Sequence, residues 1–129
     1  FHRRGEDLTL ISYGNTIHFC NKVADKLKAE GHELTVFDLR SIKPLDIDGI
    51  IEATRMSGKV LVVHEDHMFN GIAGEVIAQI NEHCFMDLDA PVMRHGAKDI
   101  PIGFSKILET AILPQIETIE AEARKLLAF

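Results

Sequence analysis

The sequence predicts a three-layer α/β/α domain built on a mostly parallel sheet, and three observations carry that prediction. Apolar runs of strand length alternate along the chain with stretches whose apolar residues recur at helical spacing. Two of those runs, Asp7–Tyr13 and Val60–Val63, are apolar toward both sides, as strands buried between layers are. With 129 residues, 46% hydrophobic and 26% charged, the chain suffices for one independent core and calls for no second domain. Right-handed strand–helix–strand crossovers then place helices on both faces of the sheet.

The elements follow in order. Phe1–Arg3 reads as the remnant of an antiparallel edge strand, turned by Gly5 into the strand Asp7–Tyr13, rich in aliphatic and β-branched residues. Gly14-Asn15-Thr16 breaks the run. Ile17, Cys20, Val23, Ala24 and Leu27 then mark one face of a helix that ends at Gly31, with Asn21, Lys22, Asp25, Lys26 and Lys28 on the other face. Glu33–Leu39 is strand-like, and Pro44 closes the connection to a short helix that starts at Asp46 or Asp48 and carries Ile50, Ile51 and Met56. Val60–Val63 follows Gly58, too short for a helix and bounded by polar residues at its C-terminal end. Gly71–Glu82 supplies a helix with Ile72, Val76, Ile77 and Ile80 inward, and Pro91–Arg94 supplies a short strand. Gly96, Asp99, Pro101 and Gly103 mark an irregular loop before a last helix from about Pro114 to Leu127.

Charge and cysteine content narrow the function classes. A formal net charge of −6 and a pI near 5.6 disfavour nucleic acid, which needs clustered Lys and Arg, and suit a basic partner. No apolar run approaches the ~20 residues of a bilayer span, and Phe1-His2-Arg3-Arg4 lacks a signal-peptide core, which favours an intracellular setting. Cys20 and Cys84 have no metal-type spacing and read as reduced packing residues. Phe1 begins without an initiator Met, so residues 1–129 are expected to be a piece of a longer chain.

The segment Val60–Glu75 draws most attention. His64, Glu65, Asp66 and His67 crowd the end of an apolar strand, where open α/β sheets gather ligands and partners. Imidazole and carboxylate suit zinc or iron, yet the spacing matches neither a His-x-x-x-His helix pair nor a closed metal site. The reading preferred is a polar strand end whose His64 is hydrogen-bonded within the fold or to a neighbouring domain. Gly14-Asn15-Thr16 and Asn70-Gly71-Ile72-Ala73-Gly74 sit between strand and helix, but contain neither a phosphate-loop lysine nor a full dinucleotide fingerprint, so close packing of helix on strand explains their glycines. Ser12, Ser41, Ser57 and Ser105 lack a nucleophile-elbow context, and neither cysteine has a local activating partner. No catalytic, cofactor-binding or metal-ligating residue is assigned. Arg94, His95, Lys98 and Asp99 form a polar loop, and Phe129 is an aromatic residue bearing the terminal carboxylate, a fit to a basic partner.

Taken in order and spacing, a series of short matches resembles the C-terminal domain of the transketolase superfamily, most closely the β subunit of thiamine diphosphate-dependent 2-oxo acid dehydrogenases. The matches are Arg4–Gly14, Phe37–Asp46, Val62-Val63-His64-Glu65, Asn70–Glu75, Leu88–Arg94, Asp99–Ile102 and Leu108-Glu109. Two positions depart from the pattern: Asn70 stands where the family usually has the first glycine of a Gly-Gly pair, and Gly103 where a second proline is usual. The resemblance implies a five-stranded mixed sheet with its first strand antiparallel. It implies a parent enzyme, pyruvate or branched-chain type, that oxidatively decarboxylates a 2-oxo acid and acylates lipoyl-lysine, with thiamine diphosphate and magnesium bound outside residues 1–129. The domain itself would assemble subunits, with His64, Glu65, Asn70, Gly71 and Glu75 facing a neighbouring domain or subunit. Arg94, Asp99 and Phe129 would dock the peripheral subunit-binding domain of the lipoyl acyltransferase core. The setting implied is cytoplasmic, or the mitochondrial matrix in a eukaryote. Two rivals remain open: a transketolase or deoxyxylulose phosphate synthase C-terminal domain, and a stand-alone non-catalytic α/β binding module.

Overall fold

In the computed structural model, which describes residues 1–129, the central strand β1 (Leu8–Ser12) is buried along its whole length. It pairs in parallel with β2 (Leu34–Asp38) on one side and β3 (Val60–His67) on the other, and β4 (Met93–Ala97) adds in parallel to β3. The sheet has four strands in the order β2-β1-β3-β4. The expected fifth, antiparallel strand is not present as an element. Phe1–Arg3 contributes a single antiparallel bridge, Arg3 to Val36, because the chain turns away at Gly5 after that contact. Gly5 is needed there: a Cβ on it would collide with the Glu33 and Leu34 backbone. The Gly5 amide donates to Thr35 Oγ1 at 2.9 Å, and that hydroxyl donates to the Gly5 carbonyl at 2.6 Å.

Helices α1 (Thr16–Lys28) and α5 (Ile116–Leu127) cover one face. Ile17, Cys20, Val23, Ala24 and Leu27 meet Ile119, Ala123 and Leu126 over Leu8, Leu10, Leu61 and Val63. Helices α2 (Ile47–Ser57) and α3 (Ala73–Cys84) cover the other, where Ile50, Ala53, Val76 and Ile80 pack on Ile11, Phe37, Val60 and Val62. Adjacent residues of one strand thus feed opposite cores, the reason the strands read as continuous apolar runs. The two polar residues on β1 are satisfied: the Thr9 hydroxyl donates to the Ala53 carbonyl at 2.8 Å and pairs with Ser57 Oγ at 2.9 Å, and Ser12 Oγ pairs with Thr16 Oγ1 at 2.7 Å.

The helix ends follow local chemistry. Asp46 caps α2 by accepting from the Gly49 amide at 2.9 Å, and Gly58 closes it in the left-handed region at φ 65°. Two elements differ from expectation. β4 lies at Met93–Ala97, because pairing with β3 rather than local propensity sets its register. The segment after Gly103 contains a short helix, α4 (Lys106–Ile112), capped by Ser105, whose hydroxyl accepts from the Leu108 amide at 3.2 Å.

Candidate functional site

β3 continues beyond its apolar half into His64–His67, carrying polar groups to the carboxyl edge of the sheet. There its pairing with β4 slips. Val63 stands opposite His95 and His67 opposite Ala97, so His64, Glu65 and Asp66 share the space facing Gly96. Such a bulge kinks the strand and re-aims its side chains. His64 is turned into the protein and is 0% exposed, while Glu65 and Asp66 remain in solvent.

Two glycines make room for the imidazole. A Cβ on Gly96 would stand 2.6 Å from His64 Cε1 and 2.8 Å from the Asp66 carbonyl oxygen. A Cβ on Gly71 would stand 2.7 Å from the same Cε1 and would collide with the His67 carbonyl. Asn70, just before, has a left-handed backbone at φ 59°, a conformation that glycine adopts freely and asparagine tolerates better than most residues. The departure at position 70 therefore keeps the loop path while adding a side chain.

Neither ring nitrogen of His64 makes a hydrogen bond of normal geometry within the chain; of the two expected alternatives, a bond within the fold or one to a neighbouring domain, the first is not formed. The bulge sets the ring among backbone, with Gly71, Gly96 and the Asp66 carbonyl close to its edge; the Asp66 backbone favours the protonated ring without meeting the geometry of a full hydrogen bond. Burial lowers its pKa, the Asp66 charge pulls the other way, and Arg94 and His95 reinforce the lowering. The imidazole is accordingly neutral. Burial likewise lowers the pKa of His95, whose Nε2 shares a 2.9 Å hydrogen bond with Thr118 Oγ1. Tyr13 is half-buried, and burial followed by the nearby Asp66 and Glu65 raises its phenol pKa.

The remaining residues singled out in the sequence fall into two places. Arg94 Nη1 donates to the Met68 carbonyl at 2.6 Å, and the Asp99 carboxylate accepts from the Phe69 amide at 2.8 Å. Together they pin the loop between β3 and α3, next to Asn70 and Gly71. Glu75, in the first turn of α3, accepts from Gln79 Nε2 at 2.9 Å and borders a hollow with Ile42, Lys43, Pro44, Leu45 and Ile72. His64, Glu65, Asn70, Gly71, Glu75, Arg94 and Asp99 thus share the carboxyl edge. Phe129 does not. It ends α5, where Arg124 is bonded to Glu30 ahead of β2, on the amino edge of the sheet.

This arrangement offers no acid, base and nucleophile in mutual reach. Ser12 Oγ is occupied with Thr16 Oγ1 at 2.7 Å in the interior, and burial pushes the Cys20 thiol up to about 12. No three His, Cys, Asp or Glu side chains converge as a metal site. The hollow between His67, Asn70 and Asp99 has no lysine or arginine side chain in its lining, so it offers a diphosphate no positive partner.

Sequence reasoning missed the apolar side of this edge. Phe69 and Ile100 border that hollow, and Ile102, Phe104, Ile107 and Leu108 are exposed beside it. The available signal was the density of large apolar residues in Ile100-Pro-Ile-Gly-Phe-Ser-Lys-Ile-Leu108, unusual for a stretch expected to be an irregular loop.

Comparison with known proteins matches residues 1–119 to the family described as transketolase, C-terminal domain. Over 128 residues the chain is 41% identical to the 2-oxoisovalerate dehydrogenase subunit beta of Bacillus subtilis (strain 168), covering 98% of this chain and 39% of that protein. The pyruvate dehydrogenase E1 component subunit beta of the same organism is also 41% identical, over 127 residues, with 98% and 39% covered. A solved structure titled split gene transketolase, inactive beta4 tetramer superposes with a TM-score of 0.83 at 25% identity, covering 98% of this chain and 40% of that one. The chain therefore spans about two fifths of the length of these relatives. With its α/β/α layers, parallel sheet and carboxyl-edge loop in place, the chain belongs to the transketolase C-terminal domain family.

Proposed function

We propose that residues 1–129 form the C-terminal assembly and docking domain of the β subunit of a thiamine diphosphate-dependent 2-oxo acid dehydrogenase. The observation that carries this reading is the 41% identity to a 2-oxoisovalerate dehydrogenase β subunit across 98% of the chain. The parent enzyme, an oxidoreductase with a disulfide acceptor, would decarboxylate a pyruvate-type or branched-chain 2-oxo acid and pass the acyl group to lipoyl-lysine. Thiamine diphosphate and magnesium would bind outside residues 1–129; in support, the hollow bordered by His67, Asn70 and Asp99 holds no lysine or arginine for a diphosphate. The rival transketolase reading is weaker by identity, 25% against 41%.

In this role the carboxyl edge, with His64, Glu65, Asn70, Gly71 and Glu75, meets a neighbouring domain or subunit. Docking of the lipoyl acyltransferase core through its peripheral subunit-binding domain draws on the net charge of −6, because complementary potentials speed encounter and set register. Arg94 and Asp99 lie on the opposite edge from Phe129, so only a partner that wraps the domain touches all three; Phe129, 69% exposed, is the better anchor.

Surface plasmon resonance with an immobilised peripheral subunit-binding domain tests the docking role. Binding is expected to weaken as salt rises and to weaken again when the chain is truncated before Phe129; equal binding by both forms would remove Phe129 from the interface, and no binding by either would defeat the docking role. Calorimetry with thiamine diphosphate and magnesium should show no heat of stoichiometric binding to this chain. Stoichiometric binding would overturn the assigned division of labour.

A further inference from the structure

We propose that Asn70 is a site of spontaneous deamidation: the Gly71 backbone nitrogen closes on the Asn70 side chain, and the loop between β3 and α3 gains a carboxylate. The chain has four asparagines, Asn15, Asn21, Asn70 and Asn81, and only Asn70 precedes a glycine. Ring closure joins the asparagine Cγ to the backbone nitrogen of the next residue, and any side chain on that residue crowds the five-membered ring. Gly71 presents none. Packing fixes glycine there, because a Cβ at position 71 would collide with the His67 carbonyl. The departure to asparagine at position 70 therefore creates the reactive pair.

The fold leaves this pair open. Asn70 is exposed, and the side-chain bonds that pin the loop go to its neighbours instead: Arg94 Nη1 donates to the Met68 carbonyl, and Asp99 accepts from the Phe69 amide. The Gly71 amide makes no hydrogen bond of normal geometry within the chain, so solvent base can take its proton. The other three asparagines are held. Asn21 and Asn81 lie inside α1 and α3, where the amide that follows each belongs to the helical ladder. Asn15 precedes the β-branched Thr16, which is buried at the start of α1.

In the step, the deprotonated Gly71 nitrogen bonds to Asn70 Cγ, the Cγ–Nδ2 bond breaks, and Nδ2 leaves as ammonia with a proton returned by solvent. Water then adds to either ring carbonyl. Cleavage of the new Cγ–N bond gives aspartate; cleavage of the original peptide C–N bond gives isoaspartate, whose main chain runs through the former side chain. Either product adds a negative charge to an edge that already carries Glu65, Asp66 and Asp99, with Arg94 and Lys98 as its cations. Isoaspartate also lengthens the path from Phe69 to Gly71, whose backbone stands against the His64 ring. The chemistry needs only this chain and stands whether or not the edge meets a neighbouring domain.

Peptide mapping by mass spectrometry, after incubation of the folded chain at neutral and mildly alkaline pH, tests the assignment. A mass gain of about 1 Da is expected in the peptide carrying Asn70, with an equal amount of ammonia released and both aspartate and isoaspartate formed. The gain should come faster at the higher pH, and heavy-oxygen water should label the product. Peptides carrying Asn15, Asn21 and Asn81 should stay unchanged over the same period. Asn70→Gln should lose the reaction on that time scale, because its longer side chain must close a six-membered ring; position 70 is exposed, and an unchanged circular dichroism spectrum shows the variant folded. An Asn70 that stays intact in the folded chain, or that reacts only in denaturing urea, would overturn the proposal. So would aspartate without isoaspartate, or equal ammonia release from Asn70→Gln, since either points to direct hydrolysis without the ring.

Discussion

His64 is a buried polar side chain whose ring nitrogens make no hydrogen bond of normal geometry within the chain. Burying an unpartnered polar group costs about 1–3 kcal/mol, and both of its ring nitrogens are in that state. Replacing it with an apolar residue removes the cost, so His64→Leu is expected to be as stable as the parent or up to about 1 kcal/mol more stable in urea denaturation. A loss of several kcal/mol would reveal a partner that the fold supplies to the ring. The same residue predicts a pH dependence. Burial lowers its folded pKa below the ordinary 6.5. Between that value and the lowered one, the unfolded chain binds more protons than the folded chain. Stability is thus fully present above about pH 6.5 and falls as the pH drops toward the folded pKa. His95 shifts in the same direction and adds to the effect. In His64→Leu the decline should be shallower; an unchanged slope would assign it to His95 and the carboxylates. The glycines at the ring are the complementary test. Gly96→Ala forces a methyl to 2.6 Å from Cε1 and is expected to cost about 1–3 kcal/mol by overpacking. Combining it with His64→Ala, which vacates that space, should recover part of the loss.

Helix boundaries came from local chemistry wherever a cap lay beside a strong apolar pattern. Asp46 and Gly58 bracket α2, and Asp46→Ala is expected to cost about 1 kcal/mol of global stability by leaving the Gly49 amide without its acceptor. Ser105 plays the same part for α4, but with a different expected outcome. Because α4 is joined to the core through little more than Ile112, Ser105→Ala should speed amide exchange within Lys106–Ile112 while leaving the global unfolding midpoint in place. A drop in the global midpoint would show α4 to be part of the cooperative core. α4 escaped the sequence reading for the same reason. Its apolar residues face outward over a stretch of less than two turns, so it lacks the inward stripe by which α1, α3 and α5 are recognised. β4 was misplaced because its five residues, Met-Arg-His-Gly-Ala, carry neither alternation nor β-branching. Pairing with β3 makes them a strand.

At the scale of the whole molecule, the exposed apolar residues Phe69, Phe104 and Ile107 gather at the carboxyl edge of the sheet, while Phe129 stands exposed on the amino edge. By itself the sequence determined the layer architecture, the alternation of four strands with α1, α2, α3 and α5, the inward faces of those helices and the family. Each of these rests on patterns repeated along the chain, which tolerate error at any one position. The tertiary structure alone decided what the polar cluster after Val63 amounts to. The two-residue slip between β3 and β4 buries His64 and leaves Glu65 and Asp66 in water, and the positions of Gly71 and Gly96 against the ring depend on chain segments far apart in sequence. It also decided that Arg94 and Asp99 hold a loop while Phe129 stands on the opposite edge. Local pattern reports which side of its own element a residue occupies, whereas a site is formed by side chains from different elements, and their meeting is set by register and packing.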